Sequence, residues 1–266
     1  MPALAPLLSA GKKPLWLDYG DYAAALLANG AVPWLDVTAY VALQRKAQGL
    51  LRSDVLPLPL GAVSAAWVAA RPALREAMAA KKRAVFPLKT LLADEDLRAH
   101  LVDLARGLRA CFPDPPLALA CPSPREWVAQ AYRLALGEDT EVGDDEADSA
   151  AVYLADFLRS FGDAGIDVLL LQESTASEPA DAAGLELYQP ALNVAAHYRW
   201  ETGLLAPAGR CAAGTAGLGF VLGPEAILSP GAWNAAMAAG QGLRYAAIPA
   251  DAQPETVLQR LKELRA

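Results

Sequence analysis

Glu173 and His197 are the two side chains whose types and spacing best suit proton transfer. Each follows an apolar run. Residues 166–171 (IDVLLL) lead into Gln172, Glu173 and Ser174, and residues 192–196 (LNVAA) lead into His197, Tyr198 and Arg199. Such a run reads as a strand buried on both faces, as in a parallel sheet covered by helices. In these folds chemistry sits at the C-terminal ends of the strands. Imidazole titrates near neutral pH, and a carboxyl group after a buried strand must be paired, solvated or protonated. Glu173 and His197 are therefore expected as the catalytic pair. They should share one pocket, because neighbouring strands run about 5 Å apart. Gln172 would orient a substrate. Tyr198 and Arg199 would hold an anionic group, arginine through its bidentate fork. The structural alternatives are a strand cap at Gln172, a packed histidine and a salt bridge at the rim.

These positions depend on the elements around them. Residues 149–161 carry apolar side chains at helical spacing, with Asp148 or Ser149 as N-cap, and Gly162 and Gly165 end the pattern. Helices are also expected late in 15–29, and over 36–49, 72–83, 94–111, 125–135, 230–240 and 254–264. Strands are expected at 84–87, 117–121, 218–222 and 243–248. Residues 55–60 (VLPLPL) are apolar, but two prolines argue against a regular central strand. The acidic run 137–148 is expected as a solvated loop. Alternating strands and helices imply an α/β fold with a parallel sheet. A closed barrel and an open doubly wound sheet both satisfy that order.

Composition narrows the function. A chain of 266 residues suits one domain, and a barrel of eight strand–helix units takes roughly 250. With 54% apolar residues it can bury a sizeable core. A net charge of -7 and the lack of a basic stripe argue against nucleic acid as a partner. No apolar run approaches the roughly 20 residues of a membrane helix, and the first lysines follow the apolar residues, the reverse of a signal peptide. Cys111, Cys121 and Cys211 form no CxxC pair, which points to a reducing, cytoplasmic setting. No GxGxxG follows a strand and no Walker loop is present, so a nucleotide site of the usual kind is not expected.

Three stretches carry a resemblance: PPLALACPSPREW (115–127), YLADFLRSFGDAGIDVLLLQES (153–174) and RYAAIPADAQPETVLQRLKEL (244–264). In order and pattern they resemble the uroporphyrinogen decarboxylase superfamily, which also holds cobalamin-independent methionine synthase and methylcobalamin:coenzyme M methyltransferases. The resemblance implies a (β/α)8 TIM-type barrel with its site at the C-terminal mouth, here with an N-terminal helical extension over residues 1–50. Ser53-Asp54-Val55-Leu56 resembles the family's SDIL, whose aspartate contacts tetrapyrrole NH groups, so Asp54 joins the substrate-binding candidates. The decarboxylases' arginine-rich N-terminal loop has no counterpart in this sequence. His197-Tyr198-Arg199 aligns by position with the HxC of the zinc methyltransferases, with Arg199 in place of the cysteine.

The resemblance implies an enzyme acting on a small carboxylate-bearing molecule by decarboxylation or related one-carbon chemistry, without a cofactor. A zinc methyltransferase is the second expectation, with the metal on His197, Cys211 and Glu173. A non-catalytic barrel that binds a ligand or partner is the third. A tightly bound structural zinc is not expected, because two histidines and three cysteines scattered along the chain do not assemble a closed four-ligand site.

Overall fold

The structure is a computed structural model and describes residues 3–8, 13–174, 181–209, 213–228, 231, 233 and 242–266. In chain order, β1 (Leu15–Asp18) is followed by α1 (Gly20–Leu27) and α2 (Val37–Leu51). β2 (Leu56–Pro59) runs straight into α3 (Leu60–Ala69), then α4 (Pro72–Met78), α5 (Phe86–Leu92) and α6 (Glu95–Cys111). β3 (Leu117–Pro122) precedes α7 (Pro124–Leu136) and α8 (Asp144–Leu158), and β4 (Val168–Gln172) precedes α9 (Ala182–Glu186) and α10 (Gln189–His197). β5 (Glu201–Leu205), β6 (Phe220–Leu222), β7 (Ile227–Leu228) and β8 (Arg244–Ala247) follow, and α11 (Pro254–Arg265) comes last. All strand pairs among the described residues are parallel. They form a five-stranded sheet, β2-β3-β4-β5-β6, and a three-stranded sheet, β1-β8-β7.

Alternation along each strand sorts side chains into two layers. Trp16, Ala118, Val168, Leu170, Leu205, Leu222 and Tyr245 pack in one cluster that draws on both sheets, with Leu4 and Val55. The two sheets thus share an interior, and each large apolar residue there contributes about 2 kcal/mol by leaving water. The alternate residues face helices. Leu119, Leu169 and Leu171 pack outward with Trp127, Leu154 and Phe157. Leu15, Leu17 and Ala246 pack outward against α1, α2 and α11. Helix starts are chemically marked. Asp36 accepts from the Ala39 amide at 2.9 Å, and Asp94 from the Leu97 amide at 2.7 Å. No described helix is long and apolar enough to cross a membrane.

Two features fix the ends of the strands. Arg109, near the end of α6, donates to the carbonyls of Phe112, Pro113, Pro115 and Gly165 and pairs with Asp167. Asp167 also accepts from the Leu117 amide at 2.9 Å, so one guanidinium ties the starts of β3 and β4 together. The second feature is a seam. The Leu56 amide donates towards β3, to Pro116 at 2.8 Å. Backbone donors alternate sides along a strand, so Pro57 and Pro59 turn nitrogens without hydrogens towards β1. The β1 amides on this side take side-chain acceptors instead. Leu15 donates to Asp54 at 2.8 Å and Leu17 to the Ser53 hydroxyl at 2.9 Å. A single backbone bond, Asp54 to Leu15 at 3.0 Å, accompanies them.

Several expectations change. Residues 192–196 are not a strand; they lie in α10. Pro190 sits in its first turn, and Ala191, Leu192, Val194 and Ala195 form a buried helical stripe. The strand beside β4 is β5, ETGLL, whose polar start hid it. The N-terminal part is not purely helical, because β1 pairs with β8. Residues 84–87 form a turn and the start of α5 instead of a strand, with Pro87 in the first turn of the helix. The acidic run enters α8, where Asp144, Asp145 and Glu146 sit favourably at the positive end of the helix dipole. VLPLPL does contain a strand, β2, and it lies at the edge of its sheet, where proline is tolerated. The helix expected over 230–240 falls almost wholly outside the described residues.

Candidate functional site

The interior opens into a small cavity of about 70 Å³ at the C-terminal ends of the strands. Inward-facing residues build it: Asp18 from β1, Pro57 and Pro59 from β2, Ala120 from β3, Gln172 from β4 and Tyr245 from β8. Tyr19, Tyr40 and Gln44 close one side, and Trp34 covers it from the connection between α1 and α2. Trp34 is itself anchored. His100 places Nε2 2.8 Å from its carbonyl while stacking on Trp67 at 5.0 Å.

Among the described residues, Asp18 is the only carboxyl group lining this cavity. Leu15 and Leu17 pack outward, so Trp16 and Asp18 must point inward, and α1 begins at Gly20 just beyond. The Tyr245 hydroxyl donates to the Asp18 carboxylate at 2.9 Å. Asp18 keeps accessible surface within the cavity, although protein surrounds it on most sides. Burial raises the Asp18 pKa above the usual carboxylate range. The hydroxyl of Tyr245 and the Gly20 amide oppose the rise, and the charge of Asp21 adds to it. Burial and then the Asp18 charge push the Tyr245 hydroxyl well up, so it remains a donor. Tyr19 donates to Gln44 at 2.9 Å. The buried Tyr40 hydroxyl comes near the same amide without reaching hydrogen-bonding geometry.

Gln172, expected either to orient a substrate or to cap its strand, lines the cavity. Glu173 also sits past the end of β4, but alternation turns it to the other side. It is 8% exposed, and its amide donates to Leu205 at 2.9 Å. Near it lies a polar cluster in which Tyr188 donates to Ser123 at 3.5 Å. Burial raises the Tyr188 pKa, the Ser123 bond lowers it, the Glu173 charge raises it and Arg125 lowers it.

The other candidates lie elsewhere. His197 ends α10 and is exposed on a shallow surface depression beside Asp156 and Arg159. The chain then enters β5 at Glu201, which pairs with Val168, the first residue of β4, whereas Glu173 follows the last. Glu173 and His197 are therefore at opposite ends of the sheet, and the expected shared pocket is not formed. The error came from reading a helix as a strand. Tyr198 packs against Gly162 and stacks on Trp200 at 5.2 Å. Arg199 is exposed, with φ 61 where α10 turns into β5. Asp54 lies before β2, at the strand end away from the cavity, and serves the Leu15 amide. In the zinc set of His197, Glu173 and Cys211, the first two are too far apart to share one ion, and Cys211 lies outside the described residues. Among the described residues no group of three or more His, Cys, Asp or Glu could hold a metal ion. Cys121 faces the helical layer, where burial raises its thiol pKa well above the usual value.

Sequence reasoning missed Asp18, Tyr245 and Gln44. The available signal was the alternation in LWLD, with a helix starting at Gly20. Compared with known protein families and with curated proteins, the chain matches none.

Proposed function

We propose that the chain is a barrel enzyme that transfers a proton to or from a small molecule, with Asp18 as the acid–base group and Tyr245 as its positioning residue. The observation that carries this reading is the Asp18 carboxyl group, reachable in a cavity at the C-terminal ends of parallel strands and hydrogen-bonded to Tyr245. A raised pKa brings a carboxyl group closer to what general acid–base catalysis requires than its ordinary value does. The closed (β/α)8 form is part of the proposal. Its support is that the two parallel sheets, β7-β8-β1 and β2 to β6, both contribute to one interior cluster, around which their strand orders would join into one cycle. Decarboxylation, expected from the resemblance, would use the same acid to protonate carbon after carbon dioxide leaves. It would also call for a cation facing the substrate carboxylate, and the described cavity lining has no lysine or arginine. The reading is therefore narrowed to proton transfer.

The test pairs two measurements. Carboxyl-carbon NMR of aspartate-labelled protein should show one resonance, absent in Asp18→Asn, that titrates above the ordinary value of about 4. A thermal-shift panel of neutral, cationic and anionic metabolites should yield ligands that stabilise the wild type and not the variant. An ordinary titration, together with ligands indifferent to the substitution, would sink the proposal.

A further inference from the structure

We infer that the cavity selects a small organic cation, of the alkylammonium kind, held among aromatic side chains with Asp18 as its counter-charge. The inference rests on the Asp18 site proposed above and adds the ligand's charge and class. Four aromatic side chains line the cavity: Trp16 and Tyr245, 6.3 Å apart between ring centroids, and Trp34 and Tyr40, 5.4 Å apart. Aromatic faces attract cations through their quadrupoles, with tryptophan strongest, and the attraction grows where water is excluded. One carboxylate supplies the matching charge, Asp21 adds negative potential nearby, and the described lining has no basic side chain to compete. An inorganic cation is a poorer fit. Metal ions take several N, O or S ligands, and no described group of three or more acidic, His or Cys side chains provides them. The chain's net charge of -7 further favours approach by a cation.

The experiment uses the full chain and three probes of similar shape: tetramethylammonium, tert-butanol and pivalate. Each is titrated at about pH 8 and followed by calorimetry and by the ring-current shift of its methyl protons. The expected result is that tetramethylammonium binds about tenfold more tightly than either other probe, which corresponds to cation–π and ion-pair terms of about 1–2 kcal/mol. Asp18→Asn should remove that preference, and Trp34→Ala should weaken cation binding several-fold. The probe comparison on the wild type decides the matter even if a variant folds poorly. Equal binding of tert-butanol would overturn the inference. Pivalate binding that depends on Asp18 would overturn the cation class and leave the acid–base reading standing. No Asp18-dependent response to any probe, or to the metabolite panel, would take both down.

Discussion

Asp18 costs the fold something that depends on pH. Its folded pKa lies above the unfolded value, chiefly through burial. A group shifted in this direction contributes stability that is fully present below the ordinary carboxylate pKa. That stability is lost as pH rises through the folded value. Asp18→Asn removes the titration. We expect its melting temperature to match the wild type near about pH 4 and to equal or exceed it at about pH 8, measured by calorimetric scans across that range. A variant that is less stable only at the higher pH would contradict the assignment. At this scale Gln172 was legible, because a polar residue after VLLL announces a strand end. Asp18 was not. A four-residue strand gives too few alternations to tell from the helix that follows, and Tyr245 reaches Asp18 only through the pairing of β8 with β1.

At the scale of elements, single residues hold neighbouring strands together. Arg109 satisfies four carbonyls and Asp167 at once, so Arg109→Ala leaves several partly buried acceptors without a donor. Hydrogen bonds to charged groups are worth about 1.5–3 kcal/mol, and we expect a loss of about 2–4 kcal/mol in urea denaturation. Gly203 in β5 is covered by the ring of Phe220 from β6, and a Cβ there would overlap it. Gly203→Ala should cost about 1–3 kcal/mol by overpacking. Adding Phe220→Ala should recover part of the loss, a coupling that a double-mutant cycle reads directly. The long amphipathic helices were legible because caps and periodicity agree, as in α6 with Asp94 and its acidic first turn. LNVAA reads as the strand in place of ETGLL because a mostly apolar stretch of five residues fits a strand or one turn and a half of helix equally. Only the Pro190 helix start and the ladder to β4 decide between them.

Across the whole molecule, the interior cluster takes residues from both sheets, so neither sheet can keep its core without the other. We expect one cooperative unfolding transition, with fluorescence and circular dichroism coinciding. Two separated transitions would show that the sheets are independent. The parallel α/β character was legible from alternating apolar runs and helices, whereas the pairing of β1 with β8 was not, because the partners lie more than 200 residues apart. The seam between β1 and β2 has a consequence in time. Parting β3 from β4 breaks a ladder of backbone bonds, whereas parting β1 from β2 releases two side-chain acceptors and one backbone bond. Water should reach this line first, so the amide hydrogens of Leu15 and Leu17 should exchange for deuterium sooner than those of Leu169 and Leu170. Pro57 and Pro59 line the cavity as well as the seam. The same parting that admits deuterium there would open a second way for a ligand to reach Asp18, sideways between the two sheets.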